Sequence, residues 1–364
     1  MTSRVSLRAL LVCTMAALLA SAVGAIPAAA QASTPREVPG MRMLYGIWCG
    51  SDGVCLAVGD ADTGERLGGV AVVRANGAMG PVTPVRGTWS LTQIDCAPDG
   101  GCIAIGRGPA GGVVVEVSRD GTPVAVRPVP GTTGLSDVAC PTATTCVATA
   151  GFVTWSAEFE RPFSVALFVV ITNGQPGPPQ LMPRGAAAWT IDCLTATRCL
   201  AIGSGVVVVV TNVDGTWTAA LRRFSGSSAT GWLGDDISCA SSTTCYATAI
   251  GSVPVGTGYY TVPGIVPVSA DGTVGPVQLL IDELGNSRGI SCAFGRTCTV
   301  IGSSNVLPGA EITIDVFRGT PTPPTRWPVF RFTGISCIAA ATCGIVGNMY
   351  QAPPVFLWHG PVPA

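Results

Sequence analysis

Seven copies of one cysteine motif, a repeat period of 44 to 53 residues, and β-branched runs alternating with tight-turn dipeptides predict an all-β fold. The architecture they specify is a seven-bladed β-propeller, with four antiparallel strands and one disulfide in every blade.

The motif copies are IWCGSDGVCLAVG from Ile47, IDCAPDGGCIAIG from Ile94, VACPTATTCVATAG from Val138 and IDCLTATRCLAIG from Ile191. ISCASSTTCYATAIG from Ile237, ISCAFGRTCTVIG from Ile290 and ISCIAAATCGIVG from Ile335 complete the set. Each is aliphatic-x-Cys, five residues, Cys, and a small or apolar stretch ending in Gly. The spacing of the first cysteines suits a four-stranded blade and is too long for one rung of a β-helix.

The remainder of each repeat supplies two more strands. Residues 70–73, 113–117, 166–171, 206–210 and 312–317 are apolar runs rich in β-branched side chains, as buried strands are. Asn76-Gly77, Asp120-Gly121, Asn173-Gly174, Asp214-Gly215 and Asp271-Gly272 tolerate positive φ and mark chain reversals. Fourth strands are expected at 124–129, 217–221, 274–280 and 326–330. The last repeat ends with a third strand near 355–358. Arg36-Glu37-Val38-Pro39-Gly40 resembles Arg127-Pro128-Val129-Pro130-Gly131, a fourth strand, so the N-terminal stretch is expected to complete the last blade and close the ring.

Fourteen cysteines fall into seven equivalent pairs: Cys49–Cys55, Cys96–Cys102, Cys140–Cys146, Cys193–Cys199, Cys239–Cys245, Cys292–Cys298 and Cys337–Cys343. A five-residue hairpin loop brings such flanking residues within bridging reach. Closing so small a ring is worth about 2 kcal/mol per bridge. Zinc pairs usually have two to four intervening residues and recruit histidine, and the chain has one histidine, His359. Disulfides are therefore expected and metal ligation is not.

Residues 1–32 have the form of a secretory signal. Arg4 and Arg8 precede an apolar run from Ala9 to Val23, and Ala30-Gln31-Ala32 is a cleavage pattern. Val23-Gly24-Ala25 is a second possible cut, and Cys13 lies inside the apolar run. That run is too short for a membrane span and no later segment offers one, so residues 33–364 are expected to form the propeller outside the cytoplasm. Charged residues make up 11% of the chain and the net charge is −1 with no basic stretch, which disfavours a nucleic-acid partner.

The cysteine segments resemble a repeat of secreted proteins in high-GC Gram-positive bacteria, of the sialidase or Asp-box propeller type. Ser118-Arg119-Asp120-Gly121-Thr122 and Ser269-Ala270-Asp271-Gly272-Thr273 resemble shortened Asp-boxes without the closing aromatic. The resemblance implies the fold; no catalytic residue is carried over, because no matching motif places one.

In an up-and-down meander the first-to-second and third-to-fourth connections share one end of the ring. The second-to-third and fourth-to-first connections share the other, where length varies and binding is expected. Residues 151–164 carry Trp155, Phe159, Arg161 and the acids Glu158 and Glu160, and residues 251–264 carry Tyr259 and Tyr260. Between them blade 4 has only Gly203-Ser204-Gly205, so two tall loops would flank a groove near Trp232. Trp155, Phe159, Arg161, Trp232, Tyr259 and Tyr260 are the expected contacts for a glycan or protein ligand.

A carbohydrate-active hydrolase or lyase using Glu158 and Glu160, or Asp235 and Asp236, is the alternative; a purely structural envelope component is a third. Asp60-Ala61-Asp62-Thr63-Gly64-Glu65 alternates carboxylates as calcium loops do but lacks a third oxygen ligand, which points to a solvated loop. Asp95 and Asp192, next to the first cysteine of their blades, are expected to hydrogen-bond local backbone. His359 is expected in a terminal hairpin turn, and no cofactor is expected.

Overall fold

The computed structural model describes residues 34–364 apart from 99, 157–160, 204, 224–232, 256–257, 281–283, 294–296, 305–310, 318–319, 322, 328–330, 341, 350–352 and 361–364. The signal-like segment lies outside these residues. Among the described residues there are seven antiparallel sheets, and no helix is long and apolar enough to cross a membrane.

Blade 1 comprises Met41–Cys49, Val54–Ala61, Gly68–Arg74 and Met79–Val85. Blade 2 comprises Ser90–Cys96, Cys102–Gly108, Gly111–Val117 and Pro123–Val129, and blade 4 Thr190–Thr195, Arg198–Gly203, Val206–Val213 and Thr216–Arg223. The first strands contact one another around a closed circuit of seven, so they line the axis. The chain is thus a seven-bladed β-propeller. Blade 7 consists of Arg331–Ala339, Thr342–Asn348 and Val355–His359, and its fourth strand is Arg36–Glu37. Arg36 pairs with Phe356 and Glu37 with Val355, as the sequence predicts for ring closure.

Seven apolar clusters fill the spaces between adjacent blades. That between blades 1 and 2 joins Leu56, Val58 and Val70 to Ile94, Ala104 and Val115. The clusters consist mainly of small aliphatic residues, as the tight spacing of packed sheets requires. The closing interface differs: Phe356 and Trp358 of blade 7 are buried against Leu44, Ile47 and Val38.

All seven disulfides form within their own hairpins, with Cα atoms 3.7–4.0 Å apart. In blades 3 and 4 both residues of the turn dipeptide are left-handed, Asn173 and Gly174 at φ 50° and 71°, Asp214 and Gly215 at 51° and 83°. That is the two-residue turn whose twist matches the strands. Asp120 and Asp271 instead cap their turns, each accepting from a serine hydroxyl and a threonine amide, and only the following glycine is left-handed.

Three expectations need correction. Residues 151–156 and 161–164, and 251–255 and 258–264, are strand and not loop: Thr145–Ser156 pairs with Arg161–Thr172 down to Ser156 opposite Arg161, and Thr244–Val255 pairs with Gly258–Ser269 down to Val255 opposite Gly258. Runs of β-branched and aromatic residues extend both ladders beyond the blade. The fourth strand of blade 5 is only Gln278–Leu279, with a lone bridge from Val274 to Val268. Pro276 interrupts it, having no amide to give to the ladder. His359 ends a strand rather than occupying a turn, and it is buried.

Candidate functional site

At the cysteine end the first strands surround a polar channel mouth of about 440 Å³. In five of the seven blades the residue before the first cysteine reaches across to the next blade. Ser238 accepts a hydrogen bond from the Cys292 amide at 3.0 Å, Ser291 from Cys337 at 2.9 Å, and Ser336 from Cys49 at 2.9 Å. Asp95 accepts from Cys140 at 2.6 Å and Asp192 from Cys239 at 2.7 Å. Blades 1 and 3 have Trp48 and Ala139 at this place, which offer no acceptor. The blades that follow them are the two carrying aspartate, whose second oxygen accepts from its own cysteine amide, Cys96 at 2.9 Å and Cys193 at 2.6 Å. Two oxygens per carboxylate thus cover the two missing clasps.

A second layer lies two residues deeper. Asp137 accepts from the amides of Val138 and Ile191, and Asp236 from those of Ile237 and Ile290. The Thr190 hydroxyl stands between them, 2.8 Å from Asp137 Oδ2 and 3.0 Å from Asp236 Oδ1. Burial pushes Asp95, Asp192 and Asp236 up to about 7 against the pull of the amides, and pushes Asp137 up as well. The charge of Asp137 adds to the rise at Asp236. Each of these acids uses one oxygen on the amide that follows it in its own blade and the other on an amide of the next blade. Asp95 and Asp192 bind backbone, as the sequence reading expects. Asp236 holds backbone in the same way.

Between blades 6 and 7, His359 Nε2 lies 3.1 Å from Asp315 Oδ2, and Thr299 donates to Asp315 Oδ1 at 2.6 Å. Burial opposes the charge on Asp315, yet these hydrogen bonds and the imidazole together hold its carboxyl below the usual range. The pair joins two blades.

The opposite end carries a cavity of about 750 Å³ that spans blades 1 to 4. Arg42, Tyr45, Asp60, Arg66, Arg107 and Trp189 are its chemically distinctive lining residues. Arg42 Nη2 forms an ion pair with Asp60 Oδ2 at 2.9 Å, and the Tyr45 hydroxyl donates to the same oxygen at 3.2 Å. Burial and the Asp60 carboxylate raise the Tyr45 hydroxyl above its usual pKa, keeping it a donor. Arg66 stacks on Trp89 with its guanidinium carbon 5.3 Å from the ring centroid. Asp60 belongs to the segment with calcium-like alternation, and it serves Arg42 and Tyr45. The base of the blade 3 hairpin, Ala150 and Gly151 with Val165 and Ala166, forms one wall.

Of the residues expected at the groove, Trp155 and Arg161 sit at the last rungs of the blade 3 hairpin, opposite Pro162 and Ser156. Tyr259 and Tyr260 sit opposite Pro254 and Val253 in the blade 5 hairpin. Glu158, Phe159, Glu160 and Trp232 lie outside the described residues. In blade 4 Gly203 pairs directly with Val206, so a low blade does separate two tall ones. Sequence reasoning missed the arginines, Tyr45 and Trp189. They belong to first strands, a second strand and short connections of different blades, where side-chain convergence follows from the ring and leaves no linear signal.

The fold and this cavity define a class, seven-bladed propellers with a ligand-sized recess at the variable end, and likeness to solved structures goes no further. No family model matches the chain, and no curated protein does. The chain is similar to U3-55K, with TM-score 0.61 and 10% identity over 91% of this chain and 100% of that one. It is similar to virginiamycin B lyase from Staphylococcus aureus, with TM-score 0.56 and 10% identity over 91% and 99% of the two chains. It also resembles Sqt1 of Chaetomium thermophilum, with TM-score 0.53, 12% identity and coverage of 91% and 98%. At such identities these likenesses establish the fold alone, and the sialidase relationship finds no support in them.

Proposed function

We propose that the protein is a non-enzymatic binding module acting outside the cytoplasm, and that its ligand, a glycan or a protein, occupies the cavity at the variable end of blades 1 to 4. The observation that carries this reading is the cavity itself: about 750 Å³, at the end where connections differ in length, with exposed indole and guanidinium groups converging on it. At the cysteine end, by contrast, the acids are consumed in holding the ring together. Seven disulfides suit an oxidising compartment, and the signal-like segment 1–32 supports export.

A glycan and cell-wall array tests the proposal. The wild-type protein is expected to bind a member that Trp189→Ala no longer binds, with Trp155→Ala and Tyr259→Ala reporting whether the hairpins contribute. An array with no ligand for intact, monodisperse protein would leave a structural envelope role instead. No observation on the described residues favours a hydrolase or lyase; turnover abolished by Glu158→Gln or Glu160→Gln would establish one.

A further inference from the structure

We infer that the cavity takes an acidic saccharide, one whose rings carry carboxylate groups, and that Arg107 with Arg66 binds the carboxylate. This deepens the reading above and rests on it.

Charge is the first observation. Among the described residues three guanidiniums, Arg42, Arg66 and Arg107, line the cavity against one carboxylate, Asp60. Oδ2 of that carboxylate takes both Arg42 and the Tyr45 hydroxyl, while Oδ1 is buried with no hydrogen-bond partner among the described residues. Arg66 and Arg107 form no ion pair among the described residues, and Asp62 and Glu65 stand on the blade 1 loop outside the lining. The chain as a whole carries −1, so a recess with surplus positive charge is a local arrangement and not a general property of the surface. A planar guanidinium at the wall of a recess is suited to grip a carboxylate with two parallel hydrogen bonds.

Aromatic exposure is the second. Trp89 and Trp189 are 40% and 38% exposed, whereas Trp358 is fully buried. Trp189 lines the cavity, and Trp89 stands beside it beneath Arg66. Indole faces provide apolar platforms for the C–H faces of pyranose rings.

The partners left to a ligand are the third. Ser90 pairs with Arg107 and Gly134 with Gly151, and Trp89 donates its amide to the Arg107 carbonyl at 2.7 Å, whereas Arg42, Tyr45, Thr92 and Ser136 lie at register shifts that turn their side chains away from the regular ladder. The side chains offered to a ligand are the guanidiniums of Arg66 and Arg107 and the hydroxyls of Ser90 and Ser136. Sugar hydroxyls and carboxylates match these groups.

Arg107 is held in place by the absence of a side chain at Gly134. A Cβ there would lie 2.7 Å from Arg107 Cγ and Nε. Gly134→Ala therefore displaces the guanidinium without removing its charge.

The test is calorimetric titration of the whole protein, disulfides intact, with trigalacturonic, triglucuronic and trimannuronic acids, their methyl esters and a hexaglutamate peptide. At least one free acid is expected to bind, weakening with added salt, while its ester binds about tenfold more weakly or worse. Arg107→Gln and Gly134→Ala, both checked by thermal melting, are expected to weaken the acid about tenfold and leave the ester unchanged. Equal binding of acid and ester, unaffected by Arg107→Gln but lost in Trp189→Ala, overturns the acidic ligand and keeps the cavity reading. Hexaglutamate binding that depends on Arg107, without sugar binding, overturns the saccharide. Failure of every probe against folded protein overturns the inference, and the array then decides the cavity reading separately.

Discussion

Asp192 of blade 4 accepts a hydrogen bond from the Cys239 amide of blade 5 at 2.7 Å while its other oxygen holds the amide of Cys193 at 2.6 Å. In most blades the second task belongs to the preceding blade, through a serine or aspartate. Blade 3 has Ala139 there, and Asp192 does both.

This arrangement predicts a rescue. Asp192→Ser keeps the clasp to Cys239, as Ser238 does for Cys292, but strands the Cys193 amide. Adding Ala139→Ser supplies a hydroxyl in the position Ser238 occupies in blade 5. In urea denaturation the second substitution is expected to raise the stability of the Asp192→Ser protein by about 1 kcal/mol, and to leave the wild type nearly unchanged. Equal effects in both backgrounds would refute the clasp.

The buried carboxylates also set a pH dependence. A hydroxyl has one proton, so Thr190 cannot donate to both Asp137 and Asp236; one carboxyl must supply the second hydrogen bond. Asp95, Asp192 and Asp236 stand at about 7 when folded, against 3.8 for the unfolded groups. The folded chain then binds more protons between those values, and stability falls as pH rises from about 4 to 7. Asp315, held low, acts in the opposite sense and only in stronger acid. Chemical denaturation is expected to show the protein a few kcal/mol more stable at pH 5 than at pH 8. Asp95→Asn with Asp192→Asn should flatten that slope.

Ring closure predicts a local weakness. Val38 is buried in the cluster between blades 7 and 1, and its amide donates to the Pro354 carbonyl at 2.8 Å. Val38→Asp puts a charge into that cluster and is expected to cost about 3 kcal/mol. Hydrogen exchange should quicken first at residues 355–359, the strand that Arg36–Glu37 covers.

Each disulfide closes a small ring, so the effect of losing one is modest. Replacing Cys292 and Cys298 together with serine is expected to cost about 2 kcal/mol and leave the other six bridges intact by mass spectrometry of unreduced peptides. Scrambled bridges between blades would contradict the pairing.

Much of the architecture was legible because its determinants repeat. The cysteine spacing recurs seven times and the turn dipeptides five, so blade number, disulfide pairing and the return of the N-terminal strand follow from comparing one copy with another. The hairpins of blades 3 and 5 were misread as loops because they occur in only two copies, and Gly and Pro interrupt the β-branched pattern within them. Aspartates 95 and 192 stood out because they replace serine at a repeated position. Asp137 and Thr190 did not, since their position also holds Gly46, Gln93, Gly289 and Gly334.

By itself, then, the amino-acid order determined the repeating unit, its bridges and the manner of closure, all of them short-range patterns along the chain. The three-dimensional ring alone decided that Thr190 bridges Asp137 and Asp236, and that Arg42, Arg66 and Arg107 line one recess. Each of these groups draws on more than one blade, and nothing local in the chain encodes a distance that exists only once the circle is closed.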